Sequence, residues 1–226
     1  YAPTQTSSLG TGRTAVAISS GAFHTCAILD DGSVSCWGFN FYGTLGDGTT
    51  TNRYAPTQTS SLGTGRTAVA ITSGIGHSGN QESHNCALLD DASVSCWGQN
   101  TNGQLGDGTT NNRNIPTQTS SFASNQMGAL SERDFDGDGV LNIFDVHNNL
   151  DYQETAISSG ALHTCAILDD GSVSCWGNGN NGELGNGGTS DKSTPTLTSS
   201  LGTGRTAVAI SSGSTHTCAL LDDGSV

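Results

Sequence analysis

The chain of 226 residues has 20 acidic and seven basic side chains, which give a formal net charge of −13. Nucleic acids and anionic membrane surfaces both require clustered lysine and arginine, so this composition disfavours either partner. No apolar run reaches membrane-spanning length. The 32 glycines, the single methionine and the lack of sustained helical periodicity indicate many short strands joined by turns. We therefore expect an all-β fold.

A unit of about 53 residues repeats along the chain, which is the spacing between Cys165 and Cys218. Three of the units open with GTGRTAVAI, in which Val16 and Ile18 alternate as in a half-buried strand. A cysteine-containing hairpin follows, then a glycine-rich turn, and finally a PTQTSSL segment whose proline suits an edge strand. About four repeats of three or four strands each are typical of propeller blades.

The hairpin reads HTCAILDDGSVSCWG in its first copy, from His24 to Gly38. Gly32 supplies the left-handed residue that a three-residue hairpin loop needs. Pairing the strands from this turn places the two cysteines opposite each other at a non-hydrogen-bonded pair, within reach of a disulfide. The predicted bridges are Cys26–Cys36, Cys86–Cys96 and Cys165–Cys175. In the second copy Ala92 replaces the turn glycine, which predicts about 1 kcal/mol of strain or another turn type.

A metal site and free thiols are the alternatives for these cysteines. His24 precedes Cys26 by two residues, but zinc sites usually carry cysteines two to four residues apart, whereas these lie ten positions apart. Disulfides are favoured, and they indicate an extracellular or cell-surface location. The repeat places the partner of Cys218 two residues beyond Val226, so we interpret the chain as an excerpt of a longer protein.

Three sets of side chains recur at fixed positions of the unit. They are the histidine before the first cysteine, the tryptophan after the second and the arginine of GTGRT: His24, His163, His216; Trp37, Trp97, Trp176; Arg13, Arg66, Arg205. We interpret the histidines as structural hydrogen-bonding groups, the tryptophans as filling between blades and the arginines as pinning strands or carbonyls. Carbohydrate stacking on the tryptophans is the functional alternative. No G-x-S-x-G elbow or Ser/His/Asp set stands out, so no catalytic residue is assigned.

The combination of HTCAILDDGSVSCWG, NTNGQLGDGT and PTQTSS resembles the regulator of chromosome condensation (RCC1) repeat, and more narrowly its extracellular prokaryotic form with paired cysteines. The resemblance covers nearly all residues outside two insertions, so the repeats are expected across 1–226. It implies RCC1-like β-propeller blades. Family members have seven blades, so this chain forms a partial propeller, unless further repeats or chains complete the ring.

The two insertions interrupt the repeat at its second and third units. Seven extra residues lie between Gly74 and Cys86, with His77 and His84 near their ends. A longer surface loop is the simpler interpretation, and a two-histidine metal site is the alternative. The second insertion, at 123–155, adds 26 residues.

The second insertion contains DFDGDGVLNIFD, which has the spacing of a 12-residue calcium loop with glycine at position 6. The predicted ligands are the side chains of Asp134, Asp136, Asp138, Asn142 and Asp145 and the backbone carbonyl of Val140. Aspartate at position 12 departs from the EF-hand pattern and resembles thrombospondin type 3 and dockerin loops. A solvated acidic loop without an ion and a Mg²⁺ site are the alternatives. Ca²⁺ is the expected cofactor, because four carboxylates so close together repel one another without a cation.

These features favour a non-enzymatic extracellular scaffold that binds a protein or a glycan through a propeller face. Disulfides and calcium would stabilise it. A secreted module that inhibits an enzyme is the alternative, because one branch of the resembled family inhibits β-lactamase. An enzyme or an exchange factor is disfavoured by the acidity, the disulfides and the missing catalytic set.

Overall fold

The computed structural model describes residues 6–76, 83–120 and 157–226. Within these ranges the chain forms fourteen β-strands and no helix. The strands make three four-stranded antiparallel sheets and one two-stranded sheet, each built from consecutive strands of one repeat. We name the sheets blades 1 to 3 and the strand pair the fourth unit. The expected all-β fold of propeller blades is confirmed.

The strands occupy equivalent segments of each repeat. Blade 1 comprises β1 (Ala15–Ser20), β2 (His24–Leu29), β3 (Val34–Gly38) and β4 (Arg53–Gln58). Blade 2 comprises β5 (Ala68–Ser73), β6 (His84–Leu89), β7 (Val94–Gly98) and β8 (Arg113–Gln118). Blade 3 comprises β9 (Ile157–Ser159), β10 (His163–Ile167), β11 (Val173–Gly177) and β12 (Lys192–Leu197). The fourth unit comprises β13 (Ala207–Ser212) and β14 (Thr217–Leu221).

The cysteine hairpin forms the two central strands of every blade, and its register is the predicted one. In blade 1, Ile28 pairs with Val34 and Cys26 with Cys36. The structure joins the cysteines of each hairpin: Cys26–Cys36, Cys86–Cys96 and Cys165–Cys175. All three pairs have Cα atoms 4.1 Å apart, as expected of a non-hydrogen-bonded pair. Cys218 is an exposed free cysteine.

The first strands of blade 1, blade 2 and the fourth unit contain a β-bulge that the sequence pattern did not indicate. The register slips between Ala15 and Ala17, which leaves Val16 65% exposed. The prediction that Val16 belongs to the buried side of the strand is therefore wrong, because a bulge changes the face on which the next side chain lies. Ile18 is also exposed, but its copies Ile71 and Ile210 pack against buried side chains of the core.

The last strand of each blade lies at the sheet edge, as its proline predicted. The strand begins earlier than expected, at Arg53 in blade 1, so that Pro56 is its fourth residue. The ladder to β3 shifts between Thr57 and Arg53. Pro56 lies within this irregular stretch, where its missing N–H leaves no regular ladder bond unmade.

The hydrophobic core is divided into clusters that lie between successive blades. The first cluster joins Leu45 and Val34 of blade 1 to Leu89 and Trp97 of blade 2. A second cluster with Trp176 joins blades 2 and 3 in the same way. Trp97 and Trp176 are fully buried, which confirms the prediction that these tryptophans fill the space between blades.

Candidate functional site

The loops of each blade emerge at two opposite ends of the sheet. Because the strands are antiparallel and consecutive, the β1–β2 and β3–β4 connections lie at the same end. We call this end the loop face. It carries residues 21–23 and 39–52 in blade 1, 99–112 in blade 2, and 160–162 and 178–191 in blade 3. The Asp-Asp-Gly turns lie at the other end, the turn face.

The recurring histidines join each blade to the next. His24 Nε2 lies 2.8 Å from Asn85 Oδ1, and His84 Nε2 lies 2.7 Å from Thr164 Oγ1. His163 Nε2 lies 2.9 Å from Thr217 Oγ1. In each case the partner is the residue that follows the histidine position of the next unit. We call this contact the histidine clasp.

The partners of the clasp fix the imidazole tautomer in the first two blades. Asn85 offers its amide oxygen, because its Nδ2 donates to the carbonyl of Thr44 at 2.6 Å. Thr164 Oγ1 donates to the carbonyl of Gln104 at 3.1 Å, so it accepts from His84. Nε2–H is therefore the donor, and the Nδ1 atom of His84 is buried without a hydrogen-bonding partner among the described residues.

Burial keeps these histidines neutral. Desolvation, with repulsion from His163 and His24, lowers the pKa of His84 to about 3. Desolvation also lowers the pKa of His24, although its hydrogen bond with Asn85 opposes the shift. A general base near neutral pH needs both a higher pKa and access to a substrate. His24 and His163 are thus structural hydrogen-bonding groups, as predicted, and His84 has the same role. The same role for His216 stays a prediction.

The glycine-rich turn of the loop face is organised by a buried asparagine. Asn40 donates through Nδ2 to Asp47 Oδ1 and to the carbonyls of Thr49 and Thr51, and its Oδ1 accepts from the amide of Leu45. Asp47 in turn pairs with Arg53 at 2.7 Å. Burial opposes its ionisation, but hydrogen bonds from Thr49 and Arg53 outweigh that effect, so the pKa of Asp47 is lowered.

Blade 2 repeats this network, whereas blade 3 does not. Asn100, Asp107 and Arg113 make the same contacts in blade 2. In blade 3 the three positions are held by Gly179, Asn186 and Lys192. There the amide of Gly179 donates to Asp191 Oδ1 at 3.0 Å, and the turn keeps its shape with fewer ionic contacts.

The same turns also reach into the following blade. The indole N–H of Trp97 donates to the carbonyl of Thr44 at 2.9 Å, and Trp176 bonds Gln104 in the same way. A Cβ added to Gly46 would lie 2.9 Å from the Trp97 nitrogen, so only glycine fits there. Gly43 and Gly46 of this turn therefore serve close contact between blades.

On the turn face the recurring arginines pair with the aspartates of the hairpin turn. Arg13 lies 3.3 Å from Asp30 and 2.7 Å from Asp31, and Arg66 and Arg205 repeat the arrangement. The predicted role in pinning strands is thus carried out through carboxylates; no hydrogen bond from these guanidinium groups to a carbonyl is described. These pairs are largely exposed and contribute little to stability.

An aromatic cluster on the loop face of blade 1 is the feature that sequence reasoning missed. Phe39 stacks with Phe41 at 6.2 Å between ring centroids, and Tyr42 meets Phe41 edge-on at 5.0 Å. Phe23 contacts Phe39 at 6.3 Å. Phe41 is 61% and Phe23 53% exposed. We call these four residues the aromatic patch.

A comparison of the aligned repeats could have revealed the patch. The segment that reads FNFYG in blade 1 reads QNTNG in blade 2 and NGNNG in blade 3.

The alternative of carbohydrate stacking on the recurring tryptophans is wrong for Trp97 and Trp176, because neither side chain is accessible.

The predicted metal sites fall into two groups. The calcium motif at 134–145, its insertion and His77 lie outside the described residues. The six cysteine sulfurs of the three hairpins are joined in disulfides and are not available as thiolates. Among the residues that the structure describes, no three His, Cys, Asp or Glu side chains come together as metal ligands would. No helix in those ranges is long and apolar enough to cross a bilayer.

Comparison with known families matches this repeating architecture. The regulator of chromosome condensation (RCC1) repeat matches residues 31–79, 91–130 and 170–220, and a second RCC1 repeat description matches 15–44 and 155–183. The chain belongs to the RCC1 repeat family. The predicted family is thereby confirmed.

Curated relatives share this repeat over most of the chain. The ultraviolet-B receptor UVR8 of Arabidopsis thaliana is 29% identical over 201 residues, which cover 88% of this chain and 38% of the receptor. The E3 ubiquitin-protein ligase HERC2 of Homo sapiens is 27% identical over 227 residues, which cover 89% of this chain and 5% of the ligase. The chain thus spans well under half the length of these relatives.

Solved structures confirm the propeller fold. Prp20p from Saccharomyces cerevisiae superposes with a TM-score of 0.66 at 17% identity, over 91% of this chain and 43% of Prp20p. Yeast RCC1 (Prp20) bound to Kap60 gives a TM-score of 0.64 at 17% identity, over 90% of this chain and 41% of the yeast protein. At this identity the likeness concerns the fold alone.

Proposed function

We propose that this RCC1-repeat chain is a non-enzymatic binding scaffold that works outside the reducing cytosol and presents its loop face to a partner. The main supporting observation is that the turns of that face combine buried residues that recur from blade to blade with an exposed residue that varies. Asn40 and Leu45 are buried and reappear as Asn100 and Leu105. The exposed tip changes from Phe41 to Thr101 and Asn180 in successive blades.

This pattern is the one expected of a rigid framework that carries variable contacts. Binding residues are often placed on loops that a stable scaffold positions. The relatives support a binding role, since the described properties of Prp20p include binding to Gsp1p and histones. The partner of this chain depends on its own exposed loop residues, so it is to be identified by experiment.

Three buried disulfides support a location in an oxidising environment, at the cell surface or outside the cell. Each closes a hairpin whose cysteines lie ten positions apart, and all six half-cystines are nearly inaccessible. Disulfides are rare in cytosolic proteins, where thiols are kept reduced.

The proposal also includes RCC1-like repeats across 1–226 and a calcium site in the insertion at 123–155. The support for calcium is the spacing of oxygen ligands in the sequence, with carboxylates at the first, third, fifth and twelfth positions. A single such site would act as a brace, and its removal is tested below.

Affinity capture tests the scaffold. The chain, immobilised, is exposed to medium in which its source cells have grown, beside a variant carrying Phe41→Ser, Thr101→Ala and Asn180→Ala. We expect a stoichiometric partner that the variant loses and that a control, Tyr54→Asn on outer strand β4, retains. Equal capture by all three proteins, or none by the unmodified chain, contradicts the proposal. A single enzyme whose activity falls on binding would identify the inhibitor alternative.

A further inference from the structure

The turn that carries the aromatic patch of blade 1 does not require aromatic residues. Blade 2 has Gln99, Thr101 and Asn102 at the positions of Phe39, Phe41 and Tyr42, and its turn adopts the same network around Asn100. The tip position is exposed in all three blades, so the exposure of Phe41 does not depend on what lies beside blade 1. Exposing large apolar rings is unfavourable. Contiguous exposed aromatic groups therefore indicate a contact surface.

The surroundings of the patch are polar but carry little free charge. Its turn supplies asparagine, threonine and glycine. The ion pair of this turn is internal, since Asp47 is bound to Arg53 at 2.7 Å and its side chain is only 4% exposed. Within this turn an anionic ligand would compete with Asp47 for Arg53, because that arginine is already paired.

We propose that the aromatic patch, formed by Phe23, Phe39, Phe41 and Tyr42, binds a neutral saccharide. The C–H face of a sugar ring carries partial positive charge and packs against the negative face of an aromatic ring. Its hydroxyl groups pair with amides and hydroxyls such as those of the turn. The site rests on the proposed scaffold function and names the ligand class for one of its blades.

The net charge of the chain further limits the class of saccharide that the patch would bind. With a formal charge of −13, the chain repels polyanions at low ionic strength. Uronate-containing and sulfated polysaccharides are therefore disfavoured, although they present similar ring faces. Neutral polysaccharides do not meet this barrier.

The repeats provide the matched variant. Phe41→Thr with Tyr42→Asn installs the residues that blade 2 carries at these positions, so the variant is expected to fold. Tyr54→Asn is the control: Tyr54 is 93% exposed, the highest value among the described aromatic side chains. It lies outside the patch and has Asn114 as its blade 2 counterpart. Unchanged melting of both variants checks the fold directly.

Affinity electrophoresis in gels containing mannan, xylan, galactan or β-1,3-glucan tests the site, with alginate and heparin as anionic counterparts. We expect at least one neutral polysaccharide to retard the chain, and the double variant to lose about tenfold in affinity. The Tyr54 variant should match the unmodified chain. The anionic polymers should give no retardation at low salt.

Several results would overturn the saccharide site. They are no retardation by any neutral polymer, equal retardation of the double variant, or an equal loss in the Tyr54 control. Loss of a captured protein in the double variant, without saccharide binding, would assign the patch to a protein partner instead. If no saccharide binds but the loop face still captures a partner, the scaffold function stands and only the patch assignment fails.

Discussion

The Nε2 atom of His84 lies 2.7 Å from Thr164 Oγ1, although 80 positions separate the two residues in the chain. The bond crosses from blade 2 to blade 3, and the 26-residue insertion lies between its partners in sequence. Both side chains are fully buried. The contact therefore couples the two blades independently of the path that the chain takes between them.

A double-mutant cycle measures this coupling. We expect Thr164→Val, which keeps the shape and removes the hydroxyl, to lower the free energy of unfolding by about 1–3 kcal/mol, since it leaves the buried imidazole N–H unpaired. His84→Ala should cost at least as much, because it also opens a cavity. The double variant should be less unstable than the sum, with a coupling of about 0.5–3 kcal/mol by denaturant titration. Strict additivity would show that the clasp contributes nothing.

The buried histidines predict a loss of stability under mild acid. Above the unfolded pKa of 6.5, His84 is neutral in both the folded and the unfolded chain. Below pH 6.5, His84 is protonated in the unfolded chain, whereas in the folded chain it stays neutral down to about pH 3. The free energy of unfolding therefore decreases as the pH is lowered. The slope approaches about 1.4 kcal/mol per pH unit for each such histidine. His24 and His163, whose pKa values desolvation also lowers, add to it.

His84→Gln separates this effect from other titrations. The variant should show a shallower dependence of unfolding free energy on pH between about pH 6.5 and 4.5. The lowered carboxylate pKa values of Asp47 and Asp107 affect stability mainly as the pH approaches and passes below their usual value of 3.8, so they contribute little over most of this window. A slope identical to that of the unmodified chain would contradict the assignment.

The sequence was sufficient to predict the local features of the blade. Cys26 and Cys36 are joined by a short hairpin, and their pairing follows from the position of the turn glycine and the period of a strand. The bulge at Val16 could not be predicted, because it depends on how β1 pairs with β2 rather than on the alternation of side chains. The histidine clasp could not be predicted either, because its partners come into contact only when blades pack against each other.

Ala92 is the only alanine at the hairpin-turn position that glycine occupies in the other three copies. The predicted strain is present, since Ala92 adopts φ 63°, the left-handed region that glycine favours. The reason that alanine is found only here needs the structure. A Cβ at Gly32 or Gly171 would lie 2.4 Å from the Cβ of Thr67 or Thr206 in the following repeat. Before the third unit, the GTGRT segment that supplies this threonine is replaced by the insertion.

Two substitutions test this explanation. Ala92→Gly should raise the free energy of unfolding by about 0.5–1 kcal/mol, because it relieves the left-handed strain. Gly171→Ala should cost more than about 2 kcal/mol, since strain and collision with Thr206 act together. Thermal melting of the two variants beside the unmodified chain decides the matter. A loss of similar, small size at Gly171 would show that the threonine moves aside easily.

The paired aspartates of the two faces should differ sharply in their effect on stability. Asp107 has a side chain 3% exposed and accepts bonds from Thr109, Asn100 and Arg113. We expect Asp107→Asn to cost about 2 kcal/mol, below the usual cost of breaking a buried pair because Arg113 is partly exposed. Asp30→Asn on the turn face should change little, since its pair with Arg13 is exposed. Adding Arg113→Lys to Asp107→Asn installs two of the three residues that blade 3 has in this network, and it should recover part of the loss in urea titrations.

Removal of calcium should lower the melting temperature without unfolding the blades. In the sequence, the motif at 134–145 lies within a segment added to the regular repeat, so we expect its predicted ligands to brace an insertion rather than a blade. An ion present at about 100 times its dissociation constant contributes about 2.7 kcal/mol, which corresponds to a shift of about 5–10 °C on adding EGTA. The far-ultraviolet circular dichroism of the β-sheets should stay unchanged at room temperature. Asp136→Asn with Asp138→Asn should melt like the chelated chain and ignore EGTA, whereas Asp151→Asn, beyond the motif, should behave like the unmodified chain. Equal melting of that chain with and without EGTA would remove calcium from the account, and full recovery with Mg²⁺ alone would reassign the ion.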